Sequence, residues 1–112
     1  MSLDISLGMA IDTGGRSLYP VNLYDGNYTH NVVPMWKRAG VYKALYRSTG
    51  KTAAEILPTL EAGISAMEKD PAGFFLLNPS NGWGSYRGAL AFLREVRDAC
   101  KRHPKAIVEV SA

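Results

Sequence analysis

Apolar and polar positions alternate at the start of the chain, with Leu3, Ile5, Leu7 and Met9 set against Ser2, Asp4, Ser6 and Gly8. A period of two predicts a half-buried strand, because successive side chains point to opposite faces. The segment "DTGGR" (Asp12 to Arg16) supplies a turn, since Gly14 and Gly15 tolerate positive φ. Tyr19, Val21 and Leu23 resume the alternation. Pro20 has no N–H to give to a ladder, so the second strand is expected at a sheet edge or with a break. Together the two make a hairpin whose loop is longer than two residues.

The period then lengthens. Thr29 or Asn31 can cap a helix by accepting from an orphan N–H. With Asn31 as the cap, Pro34 falls in the first turn, where its missing N–H costs nothing. Val32, Val33, Met35, Trp36 and Ala39 form the apolar side, Gly40 weakens the helix, and "STGKT" (Ser48 to Thr52) ends it. "TAAE" (Thr52 to Glu55) fits a capping box ahead of Ile56, Leu57, Leu60, Ile64 and Met67, with a bend expected at Pro58. Asp70-Pro71 starts a short helix or turn expected to carry Phe74, Phe75 and Leu77 into the core. "NPSNGWG" (Asn78 to Gly84) is a loop. Tyr86, Ala89, Phe92, Leu93, Val96, Ala99, Cys100 and His103 then share one helical face, and Arg87, Arg94, Asp98 and Lys101 the other. Pro104 stops that helix, and "AIVEV" (Ala106 to Val110) has the β-branched content of a closing strand. The order predicts an α+β fold: a small, mainly antiparallel sheet, made of the N-terminal hairpin and the C-terminal strand, with three to four helices packed on one face.

Length and composition change this picture little. The chain has 112 residues, which suits one domain over 1–112 with one modest core. Apolar residues make up 46% and charged residues 21%, which argues against disorder. A single cysteine, Cys100, excludes an internal disulfide and suits a reducing compartment. The first residues have no basic n-region and Asp4 interrupts them, so they are not expected to act as a signal peptide. No apolar run approaches the roughly 20 residues that span a bilayer. A soluble cytoplasmic protein with no membrane partner is expected.

Charge adds one feature. The formal net charge is +3 and the pI about 9.1, mild for a nucleic-acid binder, which weighs against a nucleic-acid partner. The cations are unevenly spread, however. Lys37, Arg38, Lys43, Arg47 and Lys51 follow one another with no acid between them, and Arg87, Arg94, Arg97, Lys101, Arg102 and Lys105 make the end basic again. Such segments form either a solvated face or a convergent anion site.

The candidate chemistry is sparse. "GWGSYRG" (Gly82 to Gly88) invites comparison with a dinucleotide-binding loop, but Arg87 stands where the third glycine belongs and no strand precedes it. What survives is a helix start beside Ser85 and Arg87 whose N–H groups could hold an anion, with Trp83 or Tyr86 stacking on a ring. Alternatively, Trp83 closes the core and the glycines only turn the chain. His30 and His103 are too far apart in sequence for a metal pair, and Cys100 with His103 offers only two ligands, so no metal and no cofactor are expected. His103 reads as a packed histidine. Asp25 and His30 could make a catalytic pair, yet no nucleophile motif accompanies them.

Four segments resemble a family of small uncharacterised proteins encoded mainly by bacteriophages and prophages: "SLDISL" (Ser2 to Leu7), "GNYTHNVVPMW" (Gly26 to Trp36), "NPSNGWGSYRGALAFL" (Asn78 to Leu93) and "CKRHPKAIVEVS" (Cys100 to Ser111). The resemblance covers nearly the whole chain. The family pattern often has tyrosine at the third position and serine before the proline, where this chain has Leu3 and Val33. The resemblance implies a phage accessory protein expressed in the host bacterial cytoplasm, and it implies no particular activity.

The polar, aromatic turns "NYTHN" and "NGWGSY" each precede a helix, and binding residues concentrate on such loops. The expected ligand-binding residues are therefore Asn27, Tyr28, His30, Asn31, Trp83, Ser85, Tyr86 and Arg87, in a site joining the two loops. The leading expectation is a non-enzymatic protein that binds a small anionic, nucleotide-like ligand, as a counter-defence protein sequestering a host signal would. An inhibitor or accessory factor acting on a host protein is the alternative, and a small enzyme using His30 the third. A homo-oligomer is left open.

Overall fold

The structure is a computed structural model and describes residues 2–12, 14 and 18–112. Strand β1 (Ser2–Asp12) pairs antiparallel with β2 (Leu18–Thr29) on one side. On its other side it pairs antiparallel with β3 (Ile107–Ser111), over Asp4 to Gly8. The sheet order is β2-β1-β3, so the strand that carries Pro20 is an edge strand, as its missing N–H requires. The turn expected over Asp12 to Arg16 lies outside the described residues except for Asp12 and Gly14, whose φ is +82°.

Between β2 and β3 the chain is helical. A 3-10 turn (His30–Val32) leads into α1 (Val33–Ala39), α2 (Tyr42–Tyr46), α3 (Ala53–Lys69), α4 (Pro71–Phe75) and α5 (Tyr86–Arg102). The fold is α+β with a small antiparallel sheet. Local chemistry explains most of the boundaries. Thr52 caps α3 by accepting from the Glu55 N–H, Asp70 caps α4 by accepting from Gly73, and Ser85 caps α5 by accepting from Gly88.

Of the two residues expected as a cap, Thr29 caps the 3-10 turn by accepting from the Asn31 N–H, and Asn31 caps nothing. Other details differ from expectation. Gly40 does not weaken one long helix; at φ +79° it ends α1 in the left-handed conformation glycine tolerates, and α2 begins afresh. Phe74 is buried, but Phe75 is 47% exposed and Leu77 only half-buried, because α4 is too short to turn all three inward. His103 lies just past α5 as its C-cap, half-buried, and does not share the buried face.

The sheet buries one face. Leu3, Ile5 and Leu7 are sealed against the helices. Register places Tyr28, Gly26 and Tyr24 of β2 opposite them, and Val110 and Val108 of β3 opposite Ile5 and Leu7. The parity of β2 reverses along its length. Leu7 pairs with Tyr24 but Gly8 pairs with Asn22, so Leu23 is an extra residue in the ladder. Such a bulge flips every side chain beyond it to the opposite face. Val21 therefore aligns with Met9, whereas after the bulge Tyr24 and Tyr28 share the core side. The other face is bare and polar, with Ser2, Asp4 and Ser6 flanked by Asp25, Asn27, Glu109 and Ser111.

Helix α5 is the spine of the core. Tyr86, Ala89, Leu90, Phe92, Leu93, Val96, Ala99 and Cys100 are all buried along it. The Tyr86 hydroxyl donates to the Met67 carbonyl at 2.6 Å, tying α5 to α3. The exposed ion pairs Arg94–Glu68 (2.7 Å) and Arg38–Asp70 (2.8 Å) add little to stability in water.

Two outcomes follow from this packing. Leu93 is fully buried, so Leu93→Ala is expected to cost about 2–5 kcal/mol by transfer loss and cavity formation. Urea denaturation measures it as a lowered midpoint at unchanged m-value. Cys100 is equally inaccessible, and burial pushes its thiol up to about 11. Thiol-reagent labelling of the native protein at neutral pH should be far slower than labelling of the denatured chain; equal rates would place Cys100 at the surface.

Candidate functional site

The end of β2 and the loop before α5 come together. Tyr28 reaches from β2 so that its hydroxyl accepts from the Ser85 N–H at 3.2 Å. Its ring stacks on Phe92 with centroids 5.5 Å apart and meets the edge of Trp36 at 6.3 Å. Two of the three glycines of "GWGSYRG" have a packing reason here. A Cβ on Gly88 would lie 2.1 Å from the Tyr28 hydroxyl, and one on Gly84 2.7 Å from Thr29 Cγ2. Gly84 also has φ +94°. These residues are glycines so that Tyr28 and Thr29 can approach closely.

The junction frames a cleft of about 720 Å³ lined by Ser2, Asn27, Thr29, His30, Asn31 and Trp83. Trp83 is 71% exposed at its edge, so it does not close the core. The Asn27 amide nitrogen donates to Ser2 Oγ (2.9 Å) and Asp4 Oδ1 (2.8 Å), which fixes the side chain and leaves its oxygen available as an acceptor. The Asn81 side chain accepts from the Trp83 N–H at 3.0 Å and sets the loop that presents the indole. His30 Nδ1 lies 2.8 Å from the Tyr46 hydroxyl. Burial, and then the neighbouring Tyr42, push that hydroxyl up to about 12, so it remains protonated at neutral pH.

The eight expected residues therefore divide. Asn27, His30, Asn31 and Trp83 line one cleft. Tyr28, Ser85 and Tyr86 hold its walls together from behind, with Tyr86 buried. Arg87 is exposed, outside the lining, and forms no ion pair among the described residues. No family model, curated protein or solved structure matches this chain. The chemistry of the cleft is the guide to its function.

Among the described residues, that lining holds no lysine, arginine or carboxylate. Three of the amides at the start of α5 are already engaged: Ser85 N–H by Tyr28, Tyr86 N–H by Asn78 Oδ1 at 2.8 Å, and Gly88 N–H by Ser85 Oγ at 3.0 Å. An anion reaching for those three would compete with bonds that hold the loop against β2. Asp25 does not pair with His30; it accepts from the Asn22 side chain and lines the bare sheet face farther along. Among the described residues, no cluster of three or more His, Cys, Asp or Glu could hold a metal ion. Two lining residues were not picked out from the sequence, Ser2 and Thr29. They are directly paired across β1 and β2, a relation that only the strand register reveals.

The close packing of Gly84 makes a testable point. Gly84→Ala introduces both a strained φ and overlaps with Thr29 and Val32, and should destabilise the protein by more than about 1 kcal/mol. Thermal unfolding measures the loss, and Trp83 emission should change as the loop is displaced.

Proposed function

We propose that the protein is a non-enzymatic binding protein that seats the ring of a small, nucleotide-like ligand in the cleft between the end of β2 and the loop before α5. The observation that carries this reading is Trp83, 71% exposed at the edge of a cleft lined with amides and hydroxyls. An indole supplies a stacking face that accepts any flat ring. Asn27, Asn31, Ser2 and Thr29 supply donors and acceptors that can read the ring's edge. Both walls are fixed by their own hydrogen bonds before a ligand arrives, which lowers the ordering cost of binding. With no lysine or arginine among the described residues of the lining, recognition falls on the ring, and any phosphate of the ligand faces solvent. A catalytic role for His30 has less support, because its partner is a protonated tyrosine and no carboxylate among the described residues orients it. Sequestration of a host signal by a phage accessory protein is the setting we propose for such binding.

Titration with nucleosides and nucleoside monophosphates, followed by tryptophan emission, tests this. Trp36 is buried, so quenching reports on Trp83. Quenching should saturate, should be similar with and without the phosphate, and should vanish in Trp83→Ala. Emission unmoved by every nucleoside at millimolar concentration would remove the proposal. One observation favours a protein partner instead: Phe75 and Leu76 are adjacent and 47% and 87% exposed. Leu76→Asp separates the two readings, since it would weaken a protein partner and leave nucleoside binding intact.

A further inference from the structure

A second cleft, of about 380 Å³, lies between α2, the turn after it and α3, and shares no lining residue with the first. Lys43 and Arg47 stand one helical turn apart, Lys51 comes from the turn, and Glu55 comes from the opposite wall. Among the described residues none of the three cations forms an ion pair; the ion pairs use Arg38, Arg94 and Arg97. Three like charges therefore share one concavity against a single carboxylate.

The backbone that places them is rigid. The Lys51 N–H donates to the Ser48 carbonyl at 2.9 Å, closing a four-residue turn with Gly50 at φ +90° in its third position. That turn is stitched to β3: Gly50 N–H donates to the Val108 carbonyl (2.9 Å), Val108 N–H to the Lys51 carbonyl (2.8 Å) and Val110 N–H to Thr49 Oγ1 (3.0 Å). Ser48 lines the same cleft, is 1% exposed, and its hydroxyl has no hydrogen-bond partner among the described residues. A buried hydroxyl is normally paired, so one left without a partner beneath a cationic cleft calls for an acceptor.

We infer that this cleft binds the phosphate group of a small molecule, with Lys43, Arg47 and Lys51 neutralising its charge and the Ser48 hydroxyl donating from the floor. An arginine fork matches phosphate oxygens, lysines add point charges, and a serine hydroxyl completes the donor set. The size suits a small ligand. A polynucleotide would need a basic track rather than a pocket, and Glu55 in the wall opposes a long polyanion.

Calorimetric titration with inorganic phosphate and with ribose 5-phosphate, at low ionic strength, tests the site. One molecule should bind per chain. Arg47→Gln and Lys51→Gln should each weaken binding about tenfold, the usual loss of a hydrogen bond to a charged group. Glu55→Gln should tighten it by removing the one opposing charge. Ser48→Ala should weaken it without lowering the melting temperature, because the fold gives that hydroxyl no partner. Trp83→Ala and the exposed control Lys101→Gln should change nothing. Tighter binding of ribose 5-phosphate than of phosphate would show that the rest of the molecule is also held, and equal binding that free phosphate is the ligand; both support the site. No heat from either probe at millimolar concentration overturns it, as does equal weakening by Lys101→Gln. Binding of a DNA oligonucleotide that depends equally on Lys51 and Lys101 would overturn it too, by showing a diffuse basic surface.

Discussion

Tyr28 joins parts of the chain that are otherwise far apart. Its backbone belongs to β2, its ring packs between Phe92 of α5 and Trp36 of α1, and its hydroxyl takes the N–H of the residue that caps α5. A tyrosine can do this because it is apolar along its length and polar at its tip. The consequence is that the hairpin, the first helix and the last cannot shift independently. The loop that carries Trp83 is held at the same point, so the shape of the cleft follows from core packing rather than from loop preference.

The bare sheet face carries the carboxylates of Asp4, Asp25 and Glu109 among serines and asparagines, while the helices carry exposed charges of both signs. The short helix α2 divides two chemistries. Tyr42 and Tyr46 stack on one another, and Tyr46 meets His30, while Lys43 and Arg47 line the cationic cleft. One cleft thus offers an aromatic face with neutral hydrogen-bonding groups, and the other offers charge. Among the described residues no helix is long and apolar enough to cross a membrane.

Much of the fold was legible along the chain because the rules involved are local. Alternation marked β1, Pro20 marked an edge strand, and Thr52 and Asp70 marked helix starts through bonds that span only three residues. Half of the expected binding residues line one cleft because polar turns next to helix starts are exposed by nature. The inward turn of Tyr28 was not legible. Reading odd positions inward through Leu23 puts Tyr28 on the wrong face, and the extra residue at the bulge reverses that parity. The glycines of "GWGSYRG" invite comparison with a phosphate loop, yet Gly84 and Gly88 are explained by the approach of Thr29 and Tyr28 from β2, and Gly82 by its φ of +75°.

The sequence by itself determined which segments are strands and helices, where most of them begin, and that cations accumulate between Lys37 and Lys51. Only the tertiary structure decided where those groups point and what they meet. Trp83 is exposed and Ser48 is buried, although each lies in a polar, turn-forming stretch. The difference comes from long-range pairing: β3, some sixty residues later, binds the 49–51 segment at its edge, while nothing comparable covers Trp83. Periodicity reports which side of its own element a residue occupies. Burial, and with it the convergence of Lys43, Arg47 and Lys51 over one hydroxyl, depends on which distant element packs against that side.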